Sequence, residues 1–320
     1  MPSAPSPSVP SAPSRGGAVV EVRGLHKRYG DVVAVDAIDL EVVEGEVFAL
    51  LGPNGAGKTT TVEILAGFRS RTAGEVRVLG RDPAHADAQW RARVGVVLQS
   101  SSALQELTVG EVVAHFARFY PRPRSPEDVI ALVGLEGLRS RRAGVLSGGE
   151  RRRLDVALGL IGDPDLVFLD EPTTGFDPAA RRQAWSIVRD LRSLGKTVLL
   201  TTHYLDEAEH LADRVAVIAS GRLLEVATPA SLGGRASAAA RVRFRVGGAL
   251  GGRELPALDG AQVSVQGEVV TVLTDRPTAA LRALDGWSQA AGVEELPELA
   301  VERPSLEEVY LQMVAGAEGQ

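Results

Sequence analysis

From residue 18 onward the chain alternates short β-branched runs with stretches of helical periodicity. Apolar runs at residues 19–22, 47–51, 75–79, 94–98, 166–169, 197–201 and 215–219 predict strands. Residues 58–68, 108–120, 126–133, 148–161, 179–194 and 205–211 carry helical spacing. Short apolar strands alternating with helices point to a largely parallel sheet covered on both faces. Ligands of such sheets sit in loops at the carboxyl ends of the strands. Beyond about residue 226 the pattern changes. Residues 239–246, 262–265 and 269–274 alternate like antiparallel strands, while 278–284 and 306–313 read as helices. A small α+β accessory domain is expected over residues 233–320, with Gly233 and Gly234 as its hinge. No chemistry clusters there, so packing or dimerisation is the role expected of it.

Composition narrows the classes. With 44% hydrophobic and 24% charged residues, the chain is not disordered throughout. Residues 1–17 differ: five prolines and five serines, with no large apolar residue after Met1 except Val9, predict a disordered tail rather than a signal peptide. Cysteine is absent, which excludes disulfides, a thiolate nucleophile and a cysteine metal site. No apolar run approaches the ~18 residues of a membrane-spanning helix, so the chain is not expected to cross a bilayer by itself. A net charge of −6 argues against a broad nucleic-acid surface, and no nucleic-acid partner is expected.

Two motifs carry chemistry. Gly52, Pro53, Asn54, Gly55, Ala56, Gly57, Lys58 and Thr59 match G-x-x-x-x-G-K-[ST] between a predicted strand and a predicted helix. The glycines let successive amides turn toward phosphate oxygens, and the helix N-terminus adds positive potential. Lys58 can reach the β- and γ-phosphates, and the Thr59 hydroxyl suits magnesium. Residues 166–169 then form a buried strand delivering Asp170 and Glu171 at its end. Asp170 is expected to hold magnesium through water, leaving Glu171 to orient or deprotonate an attacking water.

Leu146, Ser147, Gly148, Gly149 and Glu150 open another predicted helix, a second site where amides and a hydroxyl can meet an anion. With this third motif, residues 19–232 resemble the ATP-binding subunits of ATP-binding cassette (ABC) transporters. The resemblance implies a phosphate-loop NTPase cassette: a mostly parallel sheet core, an antiparallel β subdomain and a helical subdomain at about residues 100–150. In chain terms it implies a cassette over 18–232 followed by the small C-terminal α+β domain. It also implies further site residues: Tyr29 stacking on adenine, Thr60 in the phosphate site, Gln99 touching magnesium, Asp177 in a loop crossing a dimer interface, and His203 contacting the γ-phosphate. His26, His85, His115 and His210 have no such context and are assigned to surface or packing. Glu150 stands where the family more often has glutamine, and Phe176 where leucine is commoner.

The resemblance implies ATP and Mg²⁺ as cofactors and a second ATP-binding subunit, a homodimer in the simplest case. The signature of one copy then closes over ATP held by the phosphate loop of the other. A separate integral-membrane permease and a peripheral location on the cytoplasmic face of the membrane follow. Residues 175–178, 202–209 and 304–310 resemble the drug- and antibiotic-exporter type, although importers and lipid or polysaccharide exporters share the core. Soluble cassette ATPases of DNA repair or translation are a rival class. Repair members carry long coiled coils or zinc motifs and translation members two cassettes; this chain has one cassette, no cysteine and no sustained heptads. A small-molecule kinase would share the phosphate loop but has no use for the Ser147 signature or His203.

Overall fold

The computed structural model describes residues 17–98 and 104–318. The expected tail, apart from Gly17, and Gln99 lie outside the described residues. The chain divides into two compact units, one running through Pro229 and taking in the last residues from Val314, the other Ala230–Met313. The division falls just before Gly233 and Gly234, which both take positive φ.

Within the first unit a hairpin of Ala18–Tyr29 (β1) and Val32–Val43 (β2) joins Ala73–Val78 (β4) in an antiparallel sheet ordered β2-β1-β4. Most of this hairpin escapes a search for apolar runs. Register shifts between Val22 and Leu25 and between Leu25 and Lys27 break the two-residue alternation. The buried positions, Val35, Ile38, Leu40 and Val42, alternate with charged ones.

The second sheet has six strands: Val47–Leu51 (β3), Val94–Val97 (β5), Leu166–Asp170 (β6), Thr197–Thr202 (β7), Arg214–Ala219 (β8) and Arg222–Ala227 (β9), ordered β5-β6-β7-β3-β8-β9. All neighbours pair in parallel except the last pair, β8 and β9. Every residue of β3, β6 and β7 is buried, which is why their apolar stretches, 47–51, 166–169 and 198–200, show no two-residue alternation. Phe48, Leu50, Phe168 and Leu199 anchor the core, each contributing about 1.5–3 kcal/mol over an exposed position.

Helices Lys58–Leu65 (α1), Ala88–Arg91 (α2), Val109–Ala117 (α3), Pro126–Leu132 (α4), Gly148–Leu160 (α5), Pro178–Ser193 (α6) and Leu205–Leu211 (α7) complete this unit. The first ends before Phe68 because Gly67, at φ 77°, turns the chain and Phe68 N–H bonds back to the Glu63 carbonyl. Thr108 and Glu111 form a capping box at the start of α3. The smaller unit has the antiparallel sheet β11-β12-β10-β13, made of Ala240–Arg245 (β10), Gln262–Gln266 (β11), Val269–Thr274 (β12) and Ala300–Glu302 (β13). Val242, Phe244, Val270 and Val272 form its core with Leu284 of the helix Pro277–Gln289 (α8). The helix Leu306–Glu318 (α9) closes the described chain.

Candidate active site

The sheet brings β3, β6 and β7 side by side, so the segments following them share one carboxyl edge. The loop after β3 is residues 52–57, with Gly57 as N-cap of α1 at φ 99°. A side chain there would bring a Cβ within 2.4 Å of the Ala34 carbonyl oxygen, so glycine is required on two counts. Asn54 and Gly55 are exposed at the rim, while Pro53, Gly57, Thr59 and Thr60 are half-buried. Gly52, Ala56 and Lys58 are buried. The Lys58 ammonium donates to the carbonyls of Gly52 (2.9 Å) and Pro53 (3.0 Å) and lies 3.5 Å from Glu171 Oε1. Burial pushes its pKa down, against the pull of the Glu171 and Asp170 carboxylates.

At the end of β6, Asp170 is 1% exposed. Its Oδ1 accepts from the hydroxyls of Thr201 (2.6 Å) and Thr59 (3.2 Å). A hydroxyl and a carboxylate from separate elements are thus within reach of one hard cation. Magnesium is held by few protein oxygens together with phosphate and water, so this donor set fits it. Among the described residues no group of three or more His, Cys, Asp or Glu forms a closed metal cage.

Glu171 has φ 46°, in the left-handed region that a non-glycine residue rarely adopts. Its amide donates to Thr201 Oγ1 (2.9 Å), and Thr174 Oγ1 donates to its Oε2 (2.9 Å). His203 Nδ1 stands 3.4 Å from the same oxygen. Burial alone would raise the Glu171 pKa, but the Thr174 hydroxyl, Lys58 and His203 together hold it below its ordinary value. Glu171 is therefore an ionised carboxylate at neutral pH, poised to accept a hydrogen bond from water. His203 packs on Tyr204 at 4.1 Å between ring centroids, and the Arg181 guanidinium lies 4.2 Å from the Tyr204 ring centroid.

Ser147 is the N-cap of α5, in a reciprocal capping box: its amide donates to Glu150 Oε2 (2.8 Å) and the Glu150 amide donates to its hydroxyl (3.3 Å). Those bonds hold the Glu150 carboxyl below its usual range. Asp177 caps α6 through the amides of Ala179 and Ala180 (2.8 Å each). Ser147, Gly149, Glu150 and Asp177 line one cavity of about 260 Å³, together with Arg153, and no phosphate-loop residue lines it. Gly148 is exposed beside them. Tyr29, 38% exposed, has Lys27 Nζ 4.8 Å and Arg69 Cζ 5.3 Å from its ring centroid.

The expected residues thus gather as two groups: Lys58, Thr59, Asp170, Glu171 and His203 in one, and the Ser147 signature with Asp177 in the other. Two contributors were absent from the sequence reading. Thr201 joins Asp170 to the Glu171 backbone, and its only signal was a hydroxyl inside an apolar strand. Arg152 is 9% exposed, and its guanidinium bonds to the carbonyls of Leu98, Asp170 and Glu171. Spacing could have found it, since Arg152 shares the buried stripe of α5 with Val156 and Gly159.

The ABC transporter family model matches residues 35–174, and a C-terminal domain model described as ABC transporter domain-containing protein-like matches 240–305. The daunorubicin/doxorubicin resistance ATP-binding protein DrrA of Streptomyces peucetius is 39% identical over 306 residues, 92% of each chain. The Nod factor export ATP-binding protein I of Ralstonia nicotianae is 43% identical over 235 residues, 71% of each chain. Among solved structures, an ATP-binding subunit of an ABC transporter matches with a TM-score of 0.60 at 25% identity, covering 67% of this chain and 91% of that one. A dimeric ATP-binding cassette in a post-hydrolysis state, bound to ADP and Pi, matches with a TM-score of 0.59 at 24% identity, covering 65% and 98%.

Proposed function

The chain belongs to the ATP-binding subunits of ABC transporters, and from that membership we propose that two copies close on ATP to drive a separate membrane permease exporting a drug, an antibiotic or another small hydrophobic molecule. It is an ATPase whose cofactors are ATP and Mg²⁺. The export reading rests on relatives named for daunorubicin resistance and Nod factor export, the first of them alike over nearly the whole chain.

In the proposed mechanism Lys58 leaves the carbonyls of Gly52 and Pro53 to hold the β- and γ-phosphates, and amides of residues 55–60 surround them. Thr59, with Asp170 acting through water, would hold a magnesium ion, with Gln99 as the further ligand the family pattern implies; the chemistry such an ion would supply is neutralisation of charge on the phosphate oxygens. Glu171 orients the attacking water, while His203 steadies the γ-phosphate. Tyr29 stacks on adenine. Ser147, Gly148 and Gly149 contact the γ-phosphate held by the other copy, with Glu150 keeping Ser147 in place and Asp177 lying along the interface. One observation supports the second copy: no phosphate-loop residue lines the cavity beside the signature. Losing the γ-phosphate removes those bonds and reopens the pair.

In this reading the permease is another polypeptide and the chain sits on the cytoplasmic face, as the family pattern implies; among the described residues no helix is long and apolar enough to cross a membrane. A cavity of about 390 Å³ between the β5 strand and the helices α3 and α5, lined in part by Trp90, Val112, Phe116, Tyr120 and Leu154, suits an incoming cytoplasmic helix. The domain boundary proposed for the cassette remains near residue 232, with 233–320 as an accessory domain. The test is hydrolysis by the purified chain alone and co-reconstituted in lipid with a candidate permease. The rate is expected to rise with the permease and to return to the solitary value when Phe116→Asp alters the cavity. A rate indifferent to every candidate permease contradicts the proposal.

A further inference from the structure

Arg152 is a buried cation one turn inside the helix whose N-terminus is the Ser147 signature. Its Nη1 donates to the Leu98 carbonyl, and its Nη2 donates to the carbonyls of Asp170 (2.5 Å) and Glu171 (3.4 Å). A planar guanidinium can serve several carbonyls at fixed angles; an ammonium cannot. Burying that charge is costly, and a neutral apolar residue would fill the place without the penalty. What the charge holds is specific: the carbonyl of Leu98, the residue before Gln99, and the two successive carbonyls of Asp170 and Glu171.

The Glu171 backbone explains why such a grip is needed. At φ 46° it occupies a conformation that costs of order 1–3 kcal/mol and persists only where neighbours over-determine it. Thr201 fixes it from the amide side and Arg152 from the carbonyl side. The neighbouring strand makes the linkage stiff. Helix α5 lies so close to β5 that a Cβ on Gly159 would sit 2.7 Å from Val97 Cγ2, and one on Gly95 2.3 Å from the Gly159 carbonyl oxygen.

We propose that Arg152 is a positioning residue that ties the signature helix to Glu171, so that one side chain joins the motif serving the partner copy's ATP to the acid aligning water on this copy's own. The proposal rests on the role given above to Glu171. Movement of α5 when its N-terminus meets phosphate then reaches the Glu171 backbone directly.

The test is a double-mutant cycle in the full chain, with Arg152→Gln and Arg152→Lys made alone and in the Glu171→Gln background, read by single-turnover hydrolysis, steady-state kcat and KM for ATP, and thermal unfolding. Arg152→Gln is expected to lower kcat roughly 10- to 100-fold with KM unchanged, the size of effect that sub-ångström misplacement of a reacting group produces. Arg152→Lys should recover part of the loss. In the Glu171→Gln background neither substitution should lower the rate further, because the group they position is already disabled. A merely structural Arg152 would instead lower the unfolding temperature and multiply the Glu171→Gln defect. That outcome, an unchanged kcat, or a loss confined to KM overturns the proposal. Should Arg152→Gln fail to fold, Arg152→Lys decides by the same cycle. Glu171→Gln turning over at the parent rate would instead sink the reading of Glu171, a result separable from any Arg152 outcome.

Discussion

Glu150 stands at a position where glutamine is commoner in the family, and the capping box gives the physical reason the exchange is tolerated. Either side chain can reach back to the Ser147 amide while the Ser147 hydroxyl accepts from the residue-150 amide. The acidic form adds a favourable charge at a helix N-terminus, and its lowered pKa keeps that charge at neutral pH. Glu150→Gln is therefore expected to leave stability nearly unchanged in urea unfolding. Glu150→Ala should lose about 0.5–1 kcal/mol, the scale of a missing cap. Equal losses for the two substitutions would remove the capping account. Phe176, the other departure, lines a small apolar pocket with Leu169, Pro172 and Val188, where a large apolar residue of either shape serves.

At the scale of elements, the phosphate loop, the Asp170–Glu171 strand end and the α5 signature were legible because each demands particular residues: glycine where φ is positive, a hydroxyl and a carboxylate at strand ends, a capping residue at a helix start. The buried strands of the parallel sheet were legible because both faces are covered. Strand β2 was not, since bulges in its partner and charged residues on its outer face blur the alternation. The burial of Arg152 could be read from the spacing of α5, but its grip could not, because the three carbonyls it meets come from segments far apart along the chain. Ion pairs between elements were equally silent. Arg71 donates to both carboxylate oxygens of Asp82 (2.8 and 2.6 Å), tying the segment before β4 to the one after it. The Asp82 pKa falls from 3.8 to about 2, chiefly through Arg71, and with smaller help from the Ala84 amide. A depressed carboxyl pKa contributes stability above its unfolded value that is lost as pH falls through the folded one. Asp82→Asn should thus cost about 1–2 kcal/mol at pH 7, after allowance for solvent screening. The difference from the parent should shrink as pH falls through 3.8 and vanish only below about pH 2. A pH-independent difference would mean that Asp82 acts through packing.

For the molecule as a whole, the proposed pairing sets the logic: no phosphate-loop residue lines the signature cavity, and in that reading one chain carries half of each of two sites. Complementation follows from that division. Lys58→Ala disables the phosphate loop of its own copy, and Ser147→Arg disables the signature of its own. Each variant alone should be inactive. Mixed, they form a pair in which one site takes its phosphate loop from the Ser147→Arg copy and its signature from the Lys58→Ala copy, both intact. Hydrolysis should reappear on mixing, at a fraction of the parent rate. Two variants that stay inactive together, although each still folds and pairs, would mean that each chain builds its site alone.

The central claim is that ATP is the joint between two copies and that Glu171 governs its removal. The most direct measurement is sedimentation of Glu171→Gln with saturating ATP and Mg²⁺, beside the parent chain and beside Glu171→Gln with ADP. The account predicts a stable dimer for Glu171→Gln with ATP, a monomer with ADP, and turnover reduced ~10²–10⁴-fold, the usual contribution of a group that activates water. A Glu171→Gln chain that remains monomeric at saturating ATP, or that hydrolyses ATP as fast as the parent, would contradict it.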